Sequence, residues 1–206
     1  MKFAKLFAFC AVLSVGLAAW SQDFPRAEVA ADYSYSRFYP VAAGTQSLSL
    51  NGGGGALVVN VTNYFGIKMD LQGYGSNNIT WTSPLYGTLK AQGNLFTYLF
   101  GPQIKFRSPR FQPFGHLLLG GAHSNVYANL TRACAGTCVT GGSPAGNAFA
   151  LAIGGGIDIP INKSFQFRPV EIDYLMTRFT NQFNNSSQSN FRYSAGFNFT
   201  FGGSGY

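Results

Sequence analysis

Charge is what this sequence has least of. Lys, Arg, Asp and Glu make up only 10% of its 206 residues, where soluble domains carry about a quarter. Such a chain lacks the groups that keep a protein comfortably in water. Long apolar runs are missing as well. Beyond the first twenty residues no stretch reaches the roughly 18 continuous apolar residues of a membrane helix, and mean hydropathy is only +0.06. A bundle of membrane helices is thereby excluded. Histidine (2) and cysteine (3) are too few for the usual zinc centres, and no metal or cofactor is expected. The basic residues are scattered instead of gathered on one stripe, so no nucleic-acid partner is expected either.

What the sequence does have is aromatics, at 16%, and 26 glycines, mixed with polar residues at a period of two. The C-terminal segment is the clearest case. Phe191, Tyr193, Ala195, Phe197, Phe199 and Phe201 alternate with Arg192, Ser194, Gly196, Asn198 and Thr200. Successive side chains of a strand point to opposite faces, so one face is aromatic and the other small or polar. Its length of about eleven residues is what a tilted strand needs to cross a bilayer.

The same division recurs seven more times. Val29, Ala31, Tyr33 and Tyr35 oppose Glu28, Asp32, Ser34 and Ser36; Leu57, Val59 and Val61 oppose Asn60 and Thr62. Ile67, Met69 and Leu71 oppose Lys68, Asp70 and Gln72. Phe96, Tyr98, Phe100, Ile104 and Phe106 oppose Thr97, Gly101, Gln103 and Lys105. The fifth segment, from Phe111 to His123, is harder to phase, with Leu117 and Leu119 placed outward and His116 inward. Phe149, Leu151, Ile153, Ile157 and Ile159 oppose Ala150, Ala152, Gly154, Gly156 and Asp158. Val170, Ile172, Tyr174 and Met176 oppose Glu171 and Asp173, with a register shift at Pro169 needed to keep Phe165 and Phe167 on the apolar side.

Connections between these segments alternate long and short, at 38–51, 63–65, 75–92, 107–110, 124–146, 161–164 and 179–190. An even strand number, short turns at one end and long loops at the other describe an outer-membrane barrel with both termini on the periplasmic side. The expected fold is all-β, an eight-stranded antiparallel up-and-down transmembrane β-barrel.

The N-terminus is of another kind. Lys2 and Lys5 precede an uncharged apolar run from Leu6 to Trp20, then Ser21, Gln22 and Asp23. That is the form of a secretory signal peptide. Residues 1–21 are read as the leader, with Cys10 discarded inside it, and 22–206 as the barrel. Removing the leader leaves 12 basic against 7 acidic residues, a net +5.

A soluble barrel with an apolar interior would alternate in the same way, and the charges decide between the two. Glu28, Asp32, Asp70, Asp158, Glu171 and Asp173, six of the seven acids, share the small-residue face with Lys68, Lys105 and Arg192. The other face holds the bulky residues and almost no charge. An eight-stranded barrel has room inside for side chains and little else, so the polar face is the lumen and the apolar face meets lipid. Buried charges must pair or stay hydrated. These residues, with His116 and with Arg168 and Arg178 as further candidates, are expected to form a network in the lumen. Its role is either to hold the barrel together, which small filled barrels favour, or to make a gated ion or proton path.

Alternating strands, a charged lumen and an aromatic final strand resemble the OmpA-like small outer-membrane barrels. Glu171-Ile-Asp-Tyr-Leu-Met-Thr-Arg178 with Phe191-Arg-Tyr-Ser-Ala-Gly196 resembles the last hairpin of porin-family β-barrel proteins. The resemblance covers roughly residues 24–201. It implies localisation in the bacterial outer membrane, a monomer, and contact with outer-membrane lipid and lipopolysaccharide. It also implies that Tyr193, Phe197, Phe199 and Phe201 form the signal read by the barrel-assembly machinery. Gly202-Gly-Ser-Gly-Tyr206 follows Phe201, so either Phe201 or Tyr206 is the terminal aromatic.

No catalytic residue is assigned. Cys134 and Cys138, in the longest loop, suit a disulfide formed in an oxidising compartment. His123-Ser124 sits where lipid A deacylases of similar size carry a His-x-Ser pair. Adjacent strand residues point to opposite faces, however. The glycine runs 52–55 and 154–156 lack the Lys and Ser/Thr of a phosphate loop. The expected function is a structural or surface-interaction role, with a narrow pore and a lipid A hydrolase as alternatives.

Overall fold

The computed structural model describes residues 24–38, 48–83, 87–124, 146–181 and 184–203. They form eight strands: β1 (Ala27–Phe38), β2 (Leu48–Asn60), β3 (Phe65–Ser83), β4 (Gly87–Lys105), β5 (Gln112–Ser124), β6 (Gly146–Pro160), β7 (Phe165–Asn181) and β8 (Asn184–Phe201). Each pairs antiparallel with its neighbours in chain order, and β8 returns to β1 to close the barrel. Closure leaves no strand edge unpaired, which is the condition for a sheet to lie in lipid.

Alternation sets the facing. Phe100, Phe191 and Tyr33 are about 60% exposed on the outer wall (59%, 58% and 60%), while Lys68, Lys105 and Arg192 are among the most deeply buried side chains. At the end carrying the termini the turns are tight. Val61 and Thr62 both donate backbone N–H groups to Phe65 O, and Thr62 Oγ1 accepts from the Phe65 N–H at 3.0 Å. The turn at 161–164 repeats the design, with Ile161 and Asn162 donating to Phe165 O and Asn162 Oδ1 accepting from the Ser164 N–H. Thr62, assigned to the lumen face by alternation, is therefore a turn residue.

The shift required at Pro169 is present in the register. β7 carries one extra residue relative to both neighbours, between Arg168 and Glu171 against β8 and between Ile157 and Ile159 against β6. Pro169 offers no N–H to a ladder, and its carbonyl instead accepts from the Tyr193 hydroxyl at 3.1 Å.

Two expected loops are corrected. Residues 75–92 and 179–190 are mostly strand, because β3 and β4 run on to Ser83 and Gly87 and β7 and β8 to Asn181 and Asn184. These four strands are 17 to 19 residues long, well beyond the 9–11 or so that cross a bilayer. The apolar period lapses there in the sequence, as from Asn184 to Asn190, while the backbone ladder continues. Likewise β2 starts at Leu48, which places Gly52–Gly55 within the wall.

Candidate functional site

The inward side chains of the half nearest the termini form one connected ion network. Arg107 Nη2 meets Glu28 at 2.5 Å, and Lys105 Nζ bridges Glu28 at 2.6 Å and Asp158 at 2.7 Å. Arg168 grips Asp158 through Nε at 2.6 Å and Glu171 through Nη1 at 2.7 Å. Lys68 continues from Glu171 at 2.6 Å to Asp70 at 3.8 Å. Arg192 joins Asp70 and Asp173, both at 2.6 Å, and Asp173 meets His116 Nε2 at 2.7 Å. Five carboxylates thus face five permanent cations across strands distant in sequence. Neutral side chains fill the remaining acceptor positions: Asn198 and Asn60 donate to Glu28, and Gln166 accepts from Lys105.

Local sequence makes room for this. Gly154 lies opposite Asp173, and a Cβ there would stand 2.0 Å from Asp173 Oδ1, the atom that meets His116. Phe114 points inward against Gly156, stacks on His116 at 6.1 Å and lies under the Arg168 guanidinium at 4.3 Å. This cation–π contact lets an aromatic ring sit among charges.

Of the lumen residues expected from sequence, Glu28, Lys68, Asp70, Lys105, His116, Asp158, Glu171, Asp173 and Arg192 meet in this network. Asp32 lies apart, held by Gln72 Nε2 at 2.8 Å and Ser34 Oγ at 2.9 Å. Arg168 belongs to the network, whereas Arg178 is on the outward face of β7 and exposed. Arg107 was missed because it lies just past β4, in a segment read as a turn. Its guanidinium swings back under the barrel, reaching the Asn63 carbonyl as well as Glu28.

The other half of the lumen differs from expectation. Leu50, Tyr74, Leu95, Leu99, Leu118 and Leu175, with Ala122, Ala148, Ala150 and Ala152, form a buried apolar cluster toward the loop end. These side chains face inward at positions where alternation alone predicts small or polar residues. The lumen therefore has two tiers, charged near the termini and, near the loops, rich in leucine and alanine with buried Ser36, Thr97, Ser124, Thr177 and Asn190 interleaved.

His116, Glu171 and Asp173 have ligand atoms within 4.8 Å of one another, close enough for a cation. Lys68, Arg168 and Arg192 already hold those carboxylates, so the donor set is committed to ion pairs. His123 is exposed and bonded through Nδ1 to Asn147 Oδ1 at 2.9 Å, while Ser124 is buried on the inner face. The two do not form a catalytic pair. Cys134 and Cys138 lie outside the described residues. Tyr193, Phe197, Phe199 and Phe201 line the outer wall of β8, where Phe197 packs on Phe165 and Phe167.

The sequence matches the outer membrane protein beta-barrel domain family over residues 7–199. The chain belongs to that family of bacterial outer-membrane barrels. Its fold is shared with Neisserial surface protein A (TM-score 0.58, 12% identity, 87% of this chain and 100% of that one). It is shared too with OprG of Pseudomonas aeruginosa (TM-score 0.56, 14% identity, 88% and 99%). Ail, the attachment invasion locus protein of Yersinia pestis, solved with the heparin analogue sucrose octasulfate, is similar at TM-score 0.50 and 12% identity, over 85% of this chain and 97% of that one. No curated protein matches the sequence. Identities this low establish architecture only, so what this outer-membrane barrel does must be argued from its own residues.

Proposed function

We propose that this chain is a non-conducting outer-membrane barrel with a structural or surface-interaction role and no enzymatic activity. The observation that carries the reading is the pair of tiers in the lumen. A charge-balanced network and an apolar cluster lie in series along the same axis, and either alone would oppose a hydrated ion. The facing of His123 and Ser124 argues against the lipid A hydrolase. The two long hairpins, β3–β4 and β7–β8, extend paired backbone beyond the length a bilayer needs, which suits surface contacts.

The proposal includes export by the leader at 1–21, division into leader and barrel at residue 22, and assembly through the aromatic face of β8. It also includes a monomer in contact with outer-membrane lipid and lipopolysaccharide, and a loop disulfide between Cys134 and Cys138. Planar bilayer recording of the folded barrel tests its centre. Silence across voltages is the expected result, and discrete, reproducible conductance steps would establish the narrow pore instead. Unchanged lipid A mass spectra on overexpression are expected as well, and a deacylated product would overturn the non-enzymatic reading.

A further inference from the structure

The three turns at the termini end carry more apolar surface than turns in water do. Val61 and Tyr64 sit in the first, Phe106 and Phe111 in the second and Ile161 in the third, all outside the strands and each between 55% and 59% exposed. Turns are ordinarily built from Gly, Pro, Asn, Asp and Ser. These side chains are as open as Phe100 and Phe191 on the lipid-facing wall, so the apolar surface of the barrel continues around its rim. Tyr64 and Phe106 come from different turns, and their ring centroids lie 6.1 Å apart, joining the first two turns into one patch.

Charge in the same turns has one sign. Residues 61–64, 106–111 and 161–164 include Arg107, Arg110 and Lys163 and no Asp or Glu. Arg107 turns under the barrel to Glu28 and is committed there. Arg110 and Lys163 stand exposed, on turns that flank one cleft lined by Pro109, Pro160 and Ile161. Glu28 and Asp158, the acids at this end of the lumen, are buried and held by Lys105.

Aromatic girdles mark both interfaces of outer-membrane barrels in general, and these turns add a choice of headgroup. Rings and aliphatic groups enter the boundary between acyl chains and headgroups, and long cationic side chains reach out to lipid phosphates. A zwitterionic headgroup brings a cation that these turns have no acid to receive. A headgroup of net negative charge satisfies both Arg110 and Lys163.

We infer that the termini-end turns form a docking surface for anionic phospholipid, with Arg110 and Lys163 holding the headgroup phosphate and Phe106, Phe111 and Ile161 seated among the adjoining chains. The inference rests on the proposed contact with outer-membrane lipid and is independent of whether the lumen conducts. Phe106→Trp places a fluorophore in the second turn, read as the difference from the unsubstituted chain. The full chain is folded into vesicles of phosphatidylcholine mixed with phosphatidylglycerol, with bromine on the acyl chains of one lipid or the other. At equal fractions of brominated lipid, phosphatidylglycerol should quench as though enriched about fivefold or more around the turn, and added salt should reduce the enrichment.

Arg110→Gln with Lys163→Gln should bring the two lipids near parity while quenching itself persists. Arg110→Lys with Lys163→Arg should retain the preference. Both side chains are exposed, and the bond from Thr200 Oγ1 reaches the Lys163 backbone carbonyl, so these variants keep the fold, which the heat-dependent gel shift checks. A folded barrel whose fluorophore neither lipid quenches would overturn the lipid contact at this end and the inference with it. Equal quenching by the two lipids, or a preference that survives the double glutamine variant, would overturn the headgroup assignment alone.

Discussion

Lys105 touches two carboxylates at once, Glu28 at 2.6 Å and Asp158 at 2.7 Å, and is 1% exposed. Its replacement shows how the network differs from a surface ion pair. Lys105→Met keeps the chain length but leaves two acids sharing less positive charge in a buried site. Removing one partner of a buried pair costs about 3–5 kcal/mol, because the remaining charge cannot return to water. Arg107 and Arg168 stay in place and moderate that loss, so about 3 kcal/mol is expected. Urea denaturation in micelles measures it, with Lys163→Gln as the exposed control that changes stability by about 0.5 kcal/mol or less. Equal midpoints for the two variants would mean that the network is hydrated and contributes little.

Strands were legible in the sequence wherever lipid met one face and the lumen the other, since that contrast is what alternation records. Phe191 to Phe201 shows it best, and the same rule located β6 and the extra residue at Pro169. Two things were not legible, for physical reasons. The ends of β7 and β8 lose the apolar alternation that marks a strand, as the run of Asn, Ser and Gln from Asn184 to Asn190 shows, and the ends of β3 and β4 fall in a stretch read as a loop. The inward leucines of the apolar tier look like lipid-facing residues in a pattern of hydrophobicity. Only the register, which pairs Leu118 with Ala152 and Leu175 with Ala152 from the other side, shows that they meet across small partners inside. This changes what a charge does on β6. Alternation makes Ala152 a tolerant lumen position, but it is fully buried in the apolar cluster. Ile153→Arg on the lipid face should cost roughly 2–4 kcal/mol, and Ala152→Arg should be at least as damaging. Folding yield into lipid vesicles, read from the heat-dependent gel shift, compares them; a well-folded Ala152→Arg variant would show that the tier is loosely packed or wet.

For the whole molecule, under the proposed non-conducting reading, the two tiers in series are independent seals that fail in different ways. Ion passage through the leucine-rich tier requires its packed side chains to part, while passage through the charged tier requires ion pairs to exchange partners. Opening one leaves the other closed. Leu99→Ala with Leu118→Ala and Leu175→Ala removes three nearly fully buried side chains from the loop-end half, and should cost several kcal/mol in stability, at roughly 2–5 kcal/mol for each leucine before the site relaxes. Conductance should remain absent, since Lys105, Arg168, Lys68 and Arg192 still span the other half. Replacing Arg168 and Glu171 together by alanine thins the charged tier without changing its net charge, and should also be silent alone. Only the combination should yield steps in a bilayer recording, with weak selectivity because the charges removed are matched. Conductance from the leucine triple variant alone would show that the network is already a water-filled path and that the apolar tier is the sole seal.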